Sequence, residues 1–428
     1  MNARLFNSVF KGTPLYFWKQ YIWFVSMLLF LFFPLGNSLL DRTLRQKRKT
    51  IIGLLIVLML YAFFTFIIPQ FNLIRILFGV WKYTSGIGFL LLPILWHKLG
   101  WKQQHLFVLF TVVAFISGVG LVIDGRFNVF SFFGTDTELG AEYGSRETDL
   151  ESYAYRASFL FEAANTLGYA LLFDLACGVI VFFMPGARLW HKLLGVMTVV
   201  SLAAGAFYTG SRQIFFLVPV LFGWMLLQIS RRLGTFSKML ICMLLLLGGF
   251  AGYMGYKQLL STATQASASR FEGFDLQEDG RIQGQWWPGL QQLGMDNFPY
   301  WFSGHGLAYV SAPKALPGEA VGRHYESSLF AVFSELGYFG WLLVYWVVWR
   351  GYWNFQKTKG MLASRGLAAY LPFFVVLSCV APTLTNPSAQ MIIWTIFGIS
   401  LVNRYGHPQD GHPSGLIYRH PAERRQHA

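Results

Sequence analysis

Long apolar blocks separated by short polar joints dominate the chain. A helix of about twenty apolar residues is long enough to cross the hydrocarbon core of a bilayer. The pattern therefore predicts about eleven membrane spans. They lie near residues 16–35, 51–68, 84–96, 106–123, 158–184, 193–208, 214–230, 239–256, 326–349, 367–382 and 391–402. The predicted fold is an all-α polytopic membrane protein with about 11–12 transmembrane helices.

Residues 71–96 have room for a twelfth span. Arg75 and Lys82 interrupt the apolar run there, and Pro69 and Pro93 bracket it. The two basic residues are seven positions apart and share one face of a helix. This face fits a cavity or a phosphate-lined groove, and it fits equally well two side chains that reach up to the membrane interface.

The charged residues are distributed unevenly along the chain, which has a net charge of +14. Residues 124–156 and 257–323 hold thirteen of the twenty acidic residues but eight of the thirty-four lysines and arginines. Most other basic residues lie in the short joints, such as Arg42, Arg45, Lys47, Arg48 and Lys49; Lys98 and Lys102; and Arg350, Lys357, Lys359 and Arg365. Basic residues concentrate in this way in cytoplasmic joints of membrane proteins. The excess positive charge therefore indicates orientation in a bilayer and not nucleic-acid binding.

The composition excludes a soluble enzyme, because 54% of the residues are hydrophobic and 13% are charged, against roughly a quarter charged in soluble domains. The three cysteines, Cys177, Cys242 and Cys379, lie inside apolar blocks and provide no disulfide framework or CxxC motif. No metal site and no cofactor are predicted.

The domain organisation follows from these segments. Residues 1–256 are predicted to hold transmembrane helices and an external polar loop at 124–157. Residues 257–325 form a large external loop, 326–402 form the last spans, and 403–428 form a basic, disordered tail on the cytoplasmic side. From residue 97 onward, the predicted spans place every basic joint in the cytoplasm and both acidic segments outside. Eleven spans with an internal tail place Arg4 and Lys11 outside, so the number of N-terminal spans stays open.

The large external loop combines arginines with aromatic residues. Guanidinium groups bind phosphate oxygens in pairs and flat rings cover sugar faces, so Arg270 and Arg281 are predicted to bind a phosphate-bearing sugar ligand, with His305 in the same loop. The alternative for the arginines is a set of ion pairs with nearby acids. Trp286 and Trp287 fit either a sugar site or the interfacial aromatic belt.

Two external helix starts are further candidates. Thr209, Ser211 and Arg212 precede or begin a span, where free N–H groups and the helix dipole favour an anion. The alternative is a simple capped turn. His324, Tyr325 and Glu326 precede another span, and the imidazole or the carboxylate there can accept a proton from a sugar hydroxyl, unless Glu326 is only a cap.

Several ionisable residues fall within predicted spans. Glu335 lies roughly 13 Å below Glu326 at the usual helical rise, where a charge requires a partner. Glu162 and Asp174 lie in the span that starts near residue 158. They are predicted to join Arg75 or Lys82 in an intramembrane polar network, or to line a path for an acceptor.

Together these motifs resemble the O-antigen polymerase and ligase superfamily. The matching parts are Thr209-Gly210-Ser211-Arg212, the loop arginines, Ser303-Gly304-His305-Gly306 as a Gly-x-Gly-like turn, and residues 327–340 as an Asn-x-x-Leu and Glu-x-Gly ending. The resemblance covers chiefly residues 200–345, and the order and predicted sidedness of the motifs agree with it.

The resemblance implies a fold like that of GT-C-type glycosyltransferases and an active site on the periplasmic side of the bacterial cytoplasmic membrane. The implied reaction joins oligosaccharide units carried on polyprenyl pyrophosphate into O-antigen or exopolysaccharide. Pyrophosphate and sugar would be bound by Thr209, Ser211, Arg212, Arg270, Arg281, His305 and Tyr325. The catalytic base would be Glu326 or His324. The donor and acceptor glycans, the bilayer, a flippase and a chain-length regulator are the implied partners, and nucleic acid is not.

One departure favours the polymerase branch over the ligase branch. Ligases of this family carry a His-Asn pair before Glu-x-Gly, and Glu326-Ser327 occupies that place here, with His324 two residues earlier. An O-antigen ligase that transfers glycan to lipid A-core remains one alternative. A transporter or flippase of lipid-linked glycans is the other, because buried charges such as Arg75, Glu162 and Asp174 also suit a substrate path.

Overall fold

A computed structural model describes residues 18–66, 73–127, 168–208, 212–229, 291, 301–302, 304–305, 327–380 and 386–406. These residues form helices and no strands. In chain order the helices are α1 (Trp18–Phe32), α2 (Leu39–Phe66), α3 (Leu73–Thr84), a 3₁₀ helix (Ile87–Leu90), α4 (Leu91–Lys98), α5 (Gln103–Phe127), α6 (Gly168–Phe182), α7 (Leu189–Tyr208), α8 (Arg212–Ile229), α9 (Ser328–Lys357), α10 (Leu362–Val380) and α11 (Pro387–Tyr405).

Among the helices that the structure describes, α5, α7 and α10 contain apolar stretches long enough to cross a membrane. Shorter apolar stretches occur in α1, α6 and α8. A described part that is helical and contains such stretches is compatible with the predicted all-α membrane protein. The full number of spans and the likeness to GT-C-type enzymes stay predictions, and the segment predicted to span at residues 239–256 lies outside the described residues.

Helix boundaries extend beyond the apolar blocks. Helix α2 begins at Leu39, well before the predicted span at residue 51, because a capping arrangement starts it there. The Ser38 hydroxyl accepts a hydrogen bond from the Asp41 N–H (3.1 Å) and donates one to the Asp41 carboxylate (2.8 Å). The basic residues Arg42 to Lys49 therefore lie on the first turns of a helix and not in an irregular joint.

Asp41 also joins two helices. Its carboxylate lies 2.5 Å from the ammonium of Lys98, at the end of α4. Burial acts to raise the pKa of Asp41, but the bonds from Lys98 and Ser38 outweigh burial, so its pKa lies below the ordinary value. The charged carboxylate thus fastens the start of α2 to the end of α4.

Basic residues from distant parts of the sequence meet at one end of the helices. Besides the Lys98–Asp41 pair, His97 is hydrogen bonded to the carbonyl oxygen of Gly406 (2.9 Å). Lys47 lines the same cavity as Arg350, Lys357 and Arg404. We call this part, which carries the C-terminal ends of α4, α9 and α11 and the first turns of α2, the basic end. The starts of α9 and α11 lie away from it.

Helix α6 is the centre of the core. Nearly every residue from Gly168 to Val181 is buried, and α6 packs against α5, α7, α8 and α10. Phe173 meets Tyr370 edge to face at 5.9 Å, and the Tyr370 hydroxyl donates to the carbonyl oxygen of Tyr169 (3.1 Å). Helix α7 approaches α6 closely through Gly195 and Gly178, as small residues allow in membrane helices.

The cysteines that fall in the described part are free thiols. Cys177 is buried in α6 and Cys379 is partly exposed in α10. Cys242 lies outside the described residues.

Candidate functional site

A break in helix α9 organises the candidate site. Gly337 has φ 66° and ψ −167°, a backbone conformation that is essentially restricted to glycine. A side chain at this position would also collide with the carbonyl of Phe302. The helix therefore changes course at Gly337, and main-chain groups beside the break can bind partners outside the helix.

Residues 304 and 305, in the later part of the large polar loop, fill this break. Gly304 also has a positive φ, 65°, and a Cβ atom there would lie 2.5 Å from the carbonyl carbon of Glu335. The N–H of His305 donates to the carbonyl oxygen of Ser334 (2.8 Å), which in an unbroken helix would accept from the N–H of Tyr338. The two backbones are thus in direct contact.

Aromatic rings support this contact. Trp301, one residue before Phe302, meets Phe333 edge to face at 5.9 Å. We call the whole contact the glycine junction; it comprises Phe302, Gly304 and His305 on one side and residues 334–337 on the other. It brings together the Gly-x-Gly-like turn and the Glu-x-Gly ending, which are separate motifs in the sequence.

A buried charge cluster adjoins the glycine junction. The Glu335 side chain is fully buried, and the hydroxyl of Tyr83 donates to its Oε2 atom (2.7 Å). Lys82, which is 6% exposed, interacts favourably with the Glu335 charge, and its Nζ atom lies 5.9 Å from the centre of the Tyr83 ring. The carboxylate, for which the sequence required a partner, therefore has a hydrogen-bond donor and a nearby cation.

Helices α1 and α11 fix the end of α3 that carries this cluster. The side-chain amide of Gln390 donates to the Lys82 carbonyl oxygen (2.6 Å), and the main chain of Gln390 packs against Gly86. The indole N–H of Trp23 donates to the hydroxyl of Thr84 (3.2 Å). Because the Lys82 carbonyl and the Thr84 hydroxyl are held on either side of Tyr83, its phenol is positioned towards Glu335.

Hydroxyl groups lie buried at the start of α9. Ser327 is the N-cap residue with an extended backbone, and Ser334 lies one residue before Glu335. Neither hydroxyl makes a hydrogen bond to another part of the described structure, although both residues are buried. In addition, the Tyr169 hydroxyl donates to the Asn386 side chain (2.9 Å), which joins α6 to the start of α11. The first turns of α9 therefore carry two buried hydroxyl groups before Glu335.

The remaining predicted site residues differ in how far the structure locates them. His305 is half-buried in the glycine junction, where its main chain makes the bond described above. Asp174 is half-buried in α6 near Cys177 and Tyr370, and it makes no hydrogen bond or ion pair with any other described residue. Arg75 lies in α3 and Arg212 begins α8, with only their backbones in the described part. Outside the described residues lie Glu162, Thr209, Ser211, Arg270, Arg281, His324, Tyr325 and Glu326.

Lys82 interacts electrostatically with Glu335. The predicted polar network of Arg75 or Lys82 with Glu162 and Asp174 stays a prediction, because Glu162 lies outside the described residues. Sequence reasoning missed Tyr83 and Gln390. A signal for them exists, because Lys82-Tyr83-Thr84-Ser85 is a polar run inside an apolar region, and Asn386 and Gln390 are spaced four apart at the start of the last helix. Both patterns indicate a buried polar face.

The geometry permits a specific chemical role for each part. Glu335 is held by Tyr83 and compensated by Lys82, so it suits a fixed structural carboxylate better than a mobile base. The glycine junction fixes one point of the polar loop, at residues 304–305, against α9. Within the described residues no group of three His, Cys, Asp or Glu side chains is placed to bind a metal ion.

Comparison with known proteins adds no assignment. Neither a protein-family model nor a curated protein matches the chain.

Proposed function

We propose that the protein is a glycosyltransferase that polymerises polyprenyl-pyrophosphate-linked oligosaccharides on the periplasmic face of the bacterial inner membrane. The observation that carries the proposal is the glycine junction. It joins the two motifs on which the resemblance to the O-antigen polymerase and ligase superfamily depends, and it lies at the start of α9, whereas the basic joints gather at the basic end.

The proposed reaction forms one glycosidic bond. A hydroxyl of the acceptor glycan attacks the anomeric carbon of the donor sugar, the bond from that carbon to the phosphate oxygen breaks, and polyprenyl pyrophosphate leaves. Glu326 or His324 accepts the hydroxyl proton. Arg212, Arg270 and Arg281 bind the leaving pyrophosphate through charge-assisted hydrogen bonds.

In this proposal the charge cluster and the glycine junction position the reacting groups. Glu326 immediately precedes Ser327, the N-cap of α9, and the large loop that contains Arg270 and Arg281 is held against α9 at Gly304. A fixed attachment point limits where these side chains can lie, and precise placement of reacting groups accounts for much of the rate gained by enzymes.

Reconstitution of the purified protein with lipid-linked repeat units tests the proposal, with glycan length as the readout. We expect products longer than one repeat with the wild type. Arg212→Lys, Arg270→Lys and Arg281→Lys should each lose most activity, because lysine keeps the charge but not the two-pronged geometry of arginine. The control is Arg42→Lys, an exposed residue at the basic end, which should polymerise normally.

Two results would contradict parts of the proposal. If Arg212→Lys, Arg270→Lys and Arg281→Lys all produce polymer of normal length, the arginines do not bind the leaving pyrophosphate as proposed. Full activity in both Glu326→Gln and His324→Ala would remove both proposed bases.

A transporter of lipid-linked glycans is the second candidate, favoured by the break in α9 beside a buried charge pair, since transporters often place broken helices at their substrate sites. The same assay separates the two, because a transporter forms no new glycosidic bond. Addition of lipid A-core tests the ligase alternative, in which glycan becomes attached to that acceptor without polymerisation.

A further inference from the structure

A cavity at the basic end gathers four cationic side chains. It has a volume of about 120 Å³, several times the space that one water molecule needs. Its cations come from three helices: Lys47 from α2, Arg350 and Lys357 from α9, and Arg404 from α11. The other lining residues are Trp353, Asn354, Phe397 and Tyr405.

No carboxylate in the described part of the chain neutralises these cations. That part contains four acidic residues, Asp41, Asp124, Asp174 and Glu335, and none of them lines the cavity. Convergent like charges repel one another at an effective dielectric constant well below that of water. Burial lowers the pKa of Lys47, and the charges of Arg350 and Arg404 lower it further. A bound anion would relieve this repulsion.

Neutral partners hold the cations in place. The Arg404 guanidinium donates to the side-chain oxygen of Asn354 (2.6 Å), and the Asn354 amide donates to the hydroxyl of Ser400 (3.1 Å). Lys47 and Arg350 lie 5.4 and 5.8 Å from the centre of the same ring, that of Trp346. These contacts orient the cations without cancelling their charge, as a preformed anion site requires.

The outer surface of α9 indicates where such an anion would come from. Leu342, Trp349 and Trp353 lie at helical spacing on one face and are each 46% exposed or more, and the two Trp rings stack at 6.1 Å. An exposed apolar face with tryptophans at its end is typical of the lipid-facing surface near the headgroups. Trp353 belongs both to this face and to the cavity.

From this geometry we infer that the cavity binds the phosphate group of an anionic phospholipid, with the acyl chains along the exposed face of α9. The cations and the Asn354 amide supply the polar partners, and Trp349 and Trp353 supply the apolar contact. This site is separate from the proposed glycosyl-transfer site, because the cavity lies at the C-terminal end of α9 and the glycine junction lies near the start of that helix. It does not depend on the proposed function.

Lipid binding to single variants tests this inference. The full-length protein is placed in phosphatidylcholine nanodiscs with increasing phosphatidylglycerol, and bound phosphatidylglycerol is measured by native mass spectrometry. Each Lys or Arg near anionic lipid contributes about a fivefold gain in binding, so Lys47→Gln combined with Arg404→Gln should weaken binding by about 25-fold. The matched control combines Lys49→Gln with Lys359→Gln, two exposed lysines at the same end that do not line the cavity, and should bind as the wild type does.

Further arms keep the inference falsifiable. If the double variant does not fold, Lys357→Gln replaces an exposed cation of the same cavity and should weaken binding by about fivefold. An equal loss in the control variant would show general surface attraction and would overturn the inference. A measurement of melting temperature can also overturn the inference. If inorganic phosphate raises the melting temperature of the protein as much as phosphatidylglycerol does, the source of the anion would be soluble phosphate and not a lipid.

Discussion

At the scale of single residues, the contact of Glu335 with Tyr83, within the electrostatic influence of Lys82, is the strongest constraint on the candidate site. A charge at membrane depth is tolerated when a partner of opposite charge and a hydrogen-bond donor are both present. Glu335 has both, and they are adjacent in sequence. Removal of one member leaves the other charge buried and uncompensated, whereas removal of both charges need not be costly.

This contact predicts a non-additive mutant cycle. Glu335→Gln should destabilise the protein by about 3–5 kcal/mol, because Lys82 remains charged and buried. Tyr83→Phe should cost about 1.5–3 kcal/mol through loss of one hydrogen bond to a charged group. The combination of Lys82→Met with Glu335→Gln should be more stable than Glu335→Gln alone, as thermal unfolding in detergent would measure.

Tyr338→Phe is the control for the loss of a phenol, because Tyr338 is exposed in the same helix, and its melting temperature should match that of the wild type. Strict additivity of the Lys82 and Glu335 substitutions would show that the two residues do not interact, and would remove the charge cluster from the site.

The sequence explains part of this contact. Hydropathy and helical rise place Glu335 deep enough to require a partner, and Lys82 interrupts an apolar run, so both were identifiable as buried polar residues. The approach of these two segments was not predictable, because Tyr83, the neighbour of Lys82, and Glu335 are 252 positions apart. No periodicity within either segment encodes a contact between helices that are so distant in the chain.

At the scale of elements, the course of α9 depends on one glycine. Gly337 holds a conformation that other residues avoid, and the space beside it is occupied by the main chain of Phe302. Hydropathy alone predicts one continuous span here, because Gly337 lies in an apolar run. The Glu-x-Gly pattern marked the position of Gly337 in the sequence. The close contact between the two main chains explains why glycine is needed at both Gly304 and Gly337.

Gly337→Ala should therefore disrupt the glycine junction. Backbone strain alone should cost about 1–3 kcal/mol, and the collision with Phe302 adds to it. We expect a lower melting temperature and loss of polymerisation. Gly351→Ala is the matched control in the same helix, because the nearest atoms to a new Cβ there are 3.7 and 3.8 Å away. Alanine should be tolerated or slightly stabilising at that position. Normal stability of Gly337→Ala would contradict the observed break.

At the scale of the whole molecule, the basic joints between helices contact one another at one end of the helices. The sequence predicted that the basic joints share one side of a membrane, and in the described residues those of α2, α4, α9 and α11 meet directly at the basic end. Hydropathy predicts such an arrangement, since each apolar helix is expected to carry the chain from one side of the membrane to the other. It cannot predict which helices are neighbours, because that depends on close contacts such as Gly86 with Gln390.

Reporter fusions test the orientation of the whole molecule. Green fluorescent protein fused after Gly406 should fluoresce and alkaline phosphatase there should be inactive, because the basic end is expected in the cytoplasm. Alkaline phosphatase inserted within residues 306–323 should be active, because this segment is predicted to lie outside. A fusion in the joint at residues 185–187 serves as a cytoplasmic control. The opposite pattern would place the glycine junction in the cytoplasm and would exclude a periplasmic glycosyltransferase.

The bond between His305 and Ser334 has a consequence for mutational surveys. It joins an amide hydrogen to a peptide oxygen, so neither partner is a side chain. Alanine at either position would leave this bond in place, so an alanine scan would not report its contribution to the attachment of the loop. Proline at residue 305, which lacks the amide hydrogen, is the replacement that would expose its contribution.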